Sequence, residues 1–230
     1  MKILHTADWH LGQTFYEYDR REEHLHFFEW LKQQIKQHEI DVLLIAGDVF
    51  DSPNPSAESQ RMYYRFLREV TAGNPSLQII IIAGNHDSAA RLEAPNPLLE
   101  NLNITVRGIV RRNAESNIDL QHLIVPIYTV SSDSPVRSDA SSRPLSTVSL
   151  NIPPHREIAA YCLAVPYLRQ GDYPSAETYS KGIQQLYEQL FNEVKEKGKP
   201  VVAMGHLQAT GSEISEDDRS ERTVIGGLEC

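Results

Sequence analysis

Short apolar runs alternate with amphipathic stretches along this 230-residue chain. Lys2–Thr6, Val42–Ala46, Leu77–Ala83, Tyr161–Val165 and Pro200–Met204 have the length and β-branched content of strands. Between them, Arg20–Gln37 places Leu25, Phe28, Leu31 and Ile35 on one helical face. A second helix is predicted from about Ser56 to Val70. A third carries Ile183, Leu186, Leu190, Phe191 and Val194 at helical spacing. The segment from Gly84 to Asn101 reads as partly helical, limited by Pro95 and Pro97. The runs 42–46 and 79–83 are apolar at every position, as expected of central strands covered on both faces. The strand–helix–strand order predicts a layered α/β fold with an at least partly parallel sheet.

From Thr129 to His155 this periodicity fades. Serines crowd the stretch, with Pro135, Pro144, Pro153 and Pro154 among them. Because strand-like sequence resumes at Tyr161, residues 129–157 read as a surface loop inserted into one domain of residues 1–230.

Composition adds little and excludes some classes. Charged residues at 23% and hydrophobic ones at 40% fit a globular chain with one sizeable core. No apolar run reaches the ~18–20 residues of a membrane-spanning helix, so no membrane is expected. The two cysteines, Cys162 and Cys230, form no disulfide framework, which fits a reducing cytoplasm. The net charge of −9 argues mildly against nucleic acid as a partner, since phosphate binding calls for a basic face. The distribution is uneven, however. Arg107, Arg111 and Arg112 cluster, while Glu213, Glu216, Asp217 and Asp218 gather late. Bound dications would also reverse the charge locally.

The chemistry lies directly after the strands. Asp8-x-His10 follows the first run, Gly47-Asp48-x-x-Asp51 the second, and Gly84-Asn85-His86-Asp87 the third; His206 ends the last. Open α/β sheets place their sites at these carboxyl ends. Two divalent ions need hard oxygen and nitrogen ligands with one carboxylate shared. Asp48 suits that bridging place. Asp8 and His10, alternating along an extended chain, would face one ion, with Asn85 and His206 serving the second. Ligation without cysteine favours manganese, iron or magnesium over a structural zinc. Two such ions activate water and clamp the attacking and leaving oxygens at phosphorus. His86, next to a ligand, is assigned general acid or transition-state stabiliser, with Asp51 or Asp87 to orient it. Singly, each cluster has an ordinary explanation: Asp48 as a cap, Asn85 in a turn, His206 as a strand-end histidine. Three clusters at successive strand ends are better explained by a site. Of the other histidines, His5 is expected to pack in the first strand. His24, His26 and His38 are expected at the surface or its boundary, and His122 and His155 have no partner motif.

These residues resemble the calcineurin-type metallophosphoesterase superfamily and, within it, the SbcD family of nuclease subunits. The narrower resemblance rests on Ile3–Gly12, Gly47–Asp51, Ala83–Ser88, Val165–Arg169 and Gly205–Leu207, in family order. It implies a two-layered β-sandwich flanked by helices and two manganese ions. It implies 3′→5′ exonuclease action on duplex DNA ends and endonuclease action on hairpins or single strands, in repair and recombination. It also implies an SbcC-type coiled-coil ATPase partner and a subunit that pairs as a homodimer. The family's metal site ends in a Gly-His-x-His cluster after a further strand. The sequence reaches Cys230 without it, so it reads as an amino-terminal part with both ions short of a histidine. Two other readings compete: hydrolysis of small phosphodiesters or phosphoproteins, and an inert piece or binding subunit that docks on an ATPase.

Overall fold

The computed structural model describes residues 1–130 and 156–207. The elements run β1 (Ile3–Thr6), β2 (Thr14–Phe15), β3 (Tyr18–Asp19), α1 (Arg21–Gln37), β4 (Val42–Ala46), α2 (Ala57–Gly73) and β5 (Gln78–Ile82). Then come α3 (Ala89–Glu93), α4 (Asn96–Leu99), a 3₁₀ turn (Glu100–Leu102), β6 (Ile104–Arg107), α5 (Leu120–Leu123) and β7 (Ile124–Val130). The last are β8 (Arg156–Ala164), α6 (Tyr179–Val194), a second 3₁₀ turn (Lys195–Lys197) and β9 (Val201–Met204).

Two sheets stack face to face. The first has the order β1-β4-β5-β6 and is parallel throughout; the second has the order β7-β8-β9. In the second, β7 and β8 are antiparallel and β9 joins β8 in parallel. The period of two explains why β4 and β5 are apolar at every position. Leu43, Ile45, Ile79 and Ile81 face Phe28, Leu31, Phe66 and Leu67 of α1 and α2. Val42, Leu44, Ile80 and Ile82 face Val125, Ile127, Ala160 and Cys162 of the second sheet. On the outer side of that sheet, Tyr161 and Leu163 pack on Ile183, Leu186, Leu190 and Val194 of α6. The layers are therefore helix, sheet, sheet, helix. Each fully buried aliphatic chain contributes about 1.5–3 kcal/mol, so the doubly covered strands anchor the loops that follow them.

Several residues sit away from where the pattern puts them. His24 is buried, because it begins the inner face of α1 that continues through Phe28, Leu31 and Ile35; Leu25 is only partly covered. His5 is exposed, because β1 is an edge strand. Phe191 is also exposed, since the inner face of α6 runs Ile183-Leu186-Leu190-Val194 and Phe191 falls about 100° beyond it. Strand structure extends to Val130 and resumes at Arg156, so both ends of the expected 129–157 loop are strand. The rest of that loop, and the acidic group 213–218, lie outside the described residues. Strands β6 and β7 escape the pattern. The first is only four residues long, and Pro126 interrupts the apolar run of the second.

The start of α2 has a local cause. Ser56 is extended, and its Oγ accepts the Ser59 N–H at 3.1 Å. Ser56→Ala is expected to cost about 1 kcal/mol, read as a lower urea midpoint at unchanged slope.

Candidate metal centre

Parallel registry brings three loops to one level. Thr6 pairs with Ile45, and Ile45 with Ile81, so β1, β4 and β5 end side by side. The loop after β1 is stitched to the loop after β4. Asp8 N–H donates to Gly47 O (3.1 Å), His10 N–H to Asp48 O (2.9 Å) and Leu11 N–H to Val49 O (3.0 Å). This stitching holds unusual backbone. Asp8 (φ 56°), His10 (φ 46°) and Asp48 (φ 47°) all occupy the left-handed region, which costs of order 1–3 kcal/mol per residue. The extended alternation expected of Asp8 and His10 is thus replaced: β1 ends at Thr6 and the chain curls.

Six of the expected residues converge. Ligand atoms of His10, Asp48 and His86 lie within 4.8 Å of one another, as do those of Asp8, Asp48 and His206. Asp48 belongs to both groups, and Asp8 and His10 fall into different ones. The Asp48 carboxylate is buried. Its Oδ1 accepts the His86 N–H at 2.9 Å, and its Oδ2 lies 3.5 Å from His206 Nε2 and 3.7 Å from His10 Nε2. His206 follows β9 and arrives from the second sheet, so the site sits where the two layers meet.

The ring nitrogens reveal what the site would hold. His206 Nδ1 is 2.9 Å from Ala46 O, and His86 Nδ1 is 2.9 Å from Asp51 O. A carbonyl only accepts, so in each ring Nδ1 carries the hydrogen and Nε2 presents its lone pair. His206 Nε2 meets Asn85 Oδ1 at 2.9 Å, another acceptor. His10 Nδ1 is buried 3.3 Å from Asp51 Oδ1 without an aligned hydrogen bond. Electron pairs from imidazoles, an amide and carboxylates thus converge, and this donor set fits divalent cations. Without a cation, a proton fills the gap. Burial pulls the His206 pKa down, but the Asp48 carboxylate outweighs it and lifts the pKa to about 9. For Asp48, burial pushes upward, and His206 together with the His86 N–H holds the carboxyl below its ordinary value.

Two expectations about orientation change. The Asp51 carboxylate faces His10, and it is the Asp51 carbonyl that meets His86. Asp87 does not orient His86 either. Its buried carboxylate accepts the N–H groups of Val49 (3.2 Å), Phe50 (3.0 Å) and Gly84 (2.9 Å), clamping the β4 loop to the β5 loop. Burial raises its pKa, partly offset by these donors. Sequence reasoning also misses His24, which contacts the Trp9 backbone between Asp8 and His10; its i, i+4 spacing from Phe28 is the available signal. Tyr167 belongs to no ligand cluster in the sequence. Its N–H donates to Ala83 O at 2.8 Å, and its ring centroid lies 6.3 Å from that of His206.

Close approach requires glycine at two positions. A Cβ on Gly47 (φ 90°) would overlap the His206 ring, and one on Gly84 would overlap the Asp48 carboxylate and backbone nitrogen. Gly84→Ala is expected to lower metal-dependent turnover about 10²-fold by displacing Asp48, with far-UV circular dichroism unchanged.

Residues 1–226 match the family model of calcineurin-like phosphoesterases. The chain belongs to that family. Among relatives of this phosphoesterase, the SbcD component of the SbcCD nuclease from Rhodobacter capsulatus is 36% identical over 99% of the chain and 52% of its own length. The protein of the same name from Escherichia coli K12 is 30% identical over 100% of the chain and 52% of its own length. That from Bacillus subtilis is 39% identical over 47% of the chain and 27% of its own length. The chain thus spans about half the length of the first two relatives. As a phosphoesterase its double ligand group has a ready use, since two adjacent cations suit hydrolysis at phosphorus. No helix among the described residues is long and apolar enough to cross a membrane.

Proposed function

We propose that this chain is the metallophosphoesterase domain of a DNA nuclease, with residues 1–230 forming one domain that hydrolyses phosphodiesters using two divalent ions. The observation that carries this reading is the sharing of Asp48 between two ligand groups. In it, Asp8, Asp48, Asn85, His10 and His206 hold the metals. When bound, these would polarise the phosphoryl group and lower the pKa of a coordinated water. Manganese is the metal we favour, on the mixed oxygen and nitrogen donors without sulfur.

The chain's own residues do the rest. The Asp51 carbonyl fixes His86 in the tautomer that leaves Nε2 facing the cluster, placed to exchange a proton with the leaving oxygen. The Asp87 clamp holds Asp48, Asn85 and His86 in register before substrate arrives. Beside the first ligand loop, the β2–β3 hairpin carries Phe15, Tyr16 and Tyr18, all exposed. Exposed rings next to a phosphodiesterase centre suit stacking on unpaired bases.

The relatives' printed name supports DNA as substrate and membership of a two-component nuclease. On that footing we assign 3′→5′ exonuclease action on duplex ends, endonuclease action on hairpins or single strands, an SbcC-type ATPase partner, a homodimeric state and a cytoplasmic setting. The net charge of −9 favours one rival, a small phosphodiester that needs no basic footprint.

The deciding assay presents manganese, end-labelled DNA and bis(p-nitrophenyl) phosphate to the same protein. Metal-dependent cleavage of both is expected. Cleavage of the small ester with DNA untouched would install the rival, and no metal-dependent hydrolysis of either would remove both. The variant with Phe15, Tyr16 and Tyr18 all changed to Ala is expected to lose about 1–3 kcal/mol of single-strand affinity per lost stack. Its turnover of the small ester should not change.

A further inference from the structure

One strand beyond the metal centre, at the end of β6, a cavity of about 520 Å³ is lined by Glu93, Asn96, Arg107, Ile109, Arg111 and His122, among others. That is within the ~300–1,000 Å³ of small-ligand sites. Three features of its wall point to one class of ligand. Glu93 is buried and saturated with donors. It accepts the N–H groups of Gly108 (2.9 Å) and Ile109 (3.0 Å) on Oε2 and the Arg111 guanidinium on Oε1. Arg107 is half-buried and spends donors on carbonyl oxygens only, those of His122 and Val106; among the described residues no carboxylate pairs with it. The His122 side chain is 7% exposed, and its Nε2 has no hydrogen-bond partner, with Glu93 Oε1 still 3.6 Å away.

A buried cation without a counter-ion and a buried ring nitrogen without a partner are both costly to leave so. One anion in the cavity would satisfy both. A divalent cation would not, because Glu93 has no free oxygen to offer and the guanidinium groups would repel it. We propose that this cavity binds a phosphate group, held by the remaining Arg107 donors and His122 Nε2–H, with Arg111 at the mouth. Burial and the two guanidinium groups lower the His122 pKa, so the ring is neutral at pH 7 and one nitrogen still donates. Free phosphate compounds and the DNA backbone present the same oxygens to this site. Neither the cavity nor its ligand depends on metal at the first site.

The test uses the metal-free chain with ¹⁵N-labelled histidines and inorganic phosphate as probe. A saturable shift of the His122 side-chain resonance is expected, absent in chloride of matched ionic strength. By calorimetry, Arg107→Gln and His122→Phe should each weaken phosphate at least about tenfold. Should Arg107→Gln fail to fold, His122→Phe and the resonance decide. A silent His122 resonance, an equal response to chloride, or undiminished binding in the folded variants would overturn the assignment. Competition then names the source. Displacement by a 5′-mononucleotide alone identifies a free phosphate compound, and displacement by a short duplex identifies the DNA backbone.

Discussion

Asp48→Asn is expected to remove metal-dependent hydrolysis and to weaken both ions together. Asp48 is the member common to the two ligand groups, and an amide in its place gives up a charge that each ion needs. Loss of an outer-shell partner costs about 10–100-fold in metal affinity, so loss of the shared carboxylate should exceed that for each ion. Metal titration of wild type and variant, by calorimetry with manganese, reads the effect directly. Retention of one tight ion in the variant would show that Asp48 serves a single site.

The same substitution has a signature without metal. Asp48 lifts the His206 pKa to about 9, above its unfolded value of about 6.5. A raised histidine pKa means stability fully present below that unfolded value and lost as pH rises through about 9. The lowered Asp48 pKa contributes above the ordinary carboxylate range and is lost in acid. The gap between metal-free wild type and Asp48→Asn should therefore be widest from about pH 4 to 6.5 and narrow towards pH 9. Urea midpoints at several pH values measure it. A metal must displace the same proton, so manganese affinity should rise over the upper window.

His86→Gln is expected to lower kcat about 10²–10⁴-fold, or about 3–5 kcal/mol of barrier, with two ions still bound. Glutamine keeps bulk and polarity but cannot exchange a proton. His86 stands in a group with His10 and Asp48, so metal stoichiometry must be measured beside the rate. Loss of an ion would make His86 a ligand in place of a proton donor. Unchanged kcat would remove it from both roles. A pH–rate profile adds a second reading, since the limb that reports His86 should disappear from the variant.

Much of this site is legible because its residues are clustered in sequence. In a parallel sheet each strand contributes one loop to the same edge, so Asp8-x-His10, Gly47–Asp51 and Gly84–Asp87 announce their convergence by following three apolar runs. The apolar character of β4 and β5 likewise gives their central place, since only a strand covered on both faces can be apolar at every residue. Fine geometry is not legible in the same way. Asp8 and His10 read as alternating on a strand because side-chain parity is all that a sequence displays. Their left-handed backbone is imposed by hydrogen bonds to Gly47 and Asp48, some forty residues on.

Local pattern, then, determined the strands, the long helices, the loops that bear ligands and the kinds of atom they offer. Each follows from periodicity and residue chemistry within a short window. Only the tertiary structure decided the contacts between segments. It brought His206 across from the second sheet, put the Asp51 carbonyl where a carboxylate was expected, and gave Asp87 to the backbone of two loops. It also buried Arg107 and His122 together, two residues with no motif in common. Such pairings depend on how two layers pack, and packing is set by the whole core, whose members lie far apart in the chain.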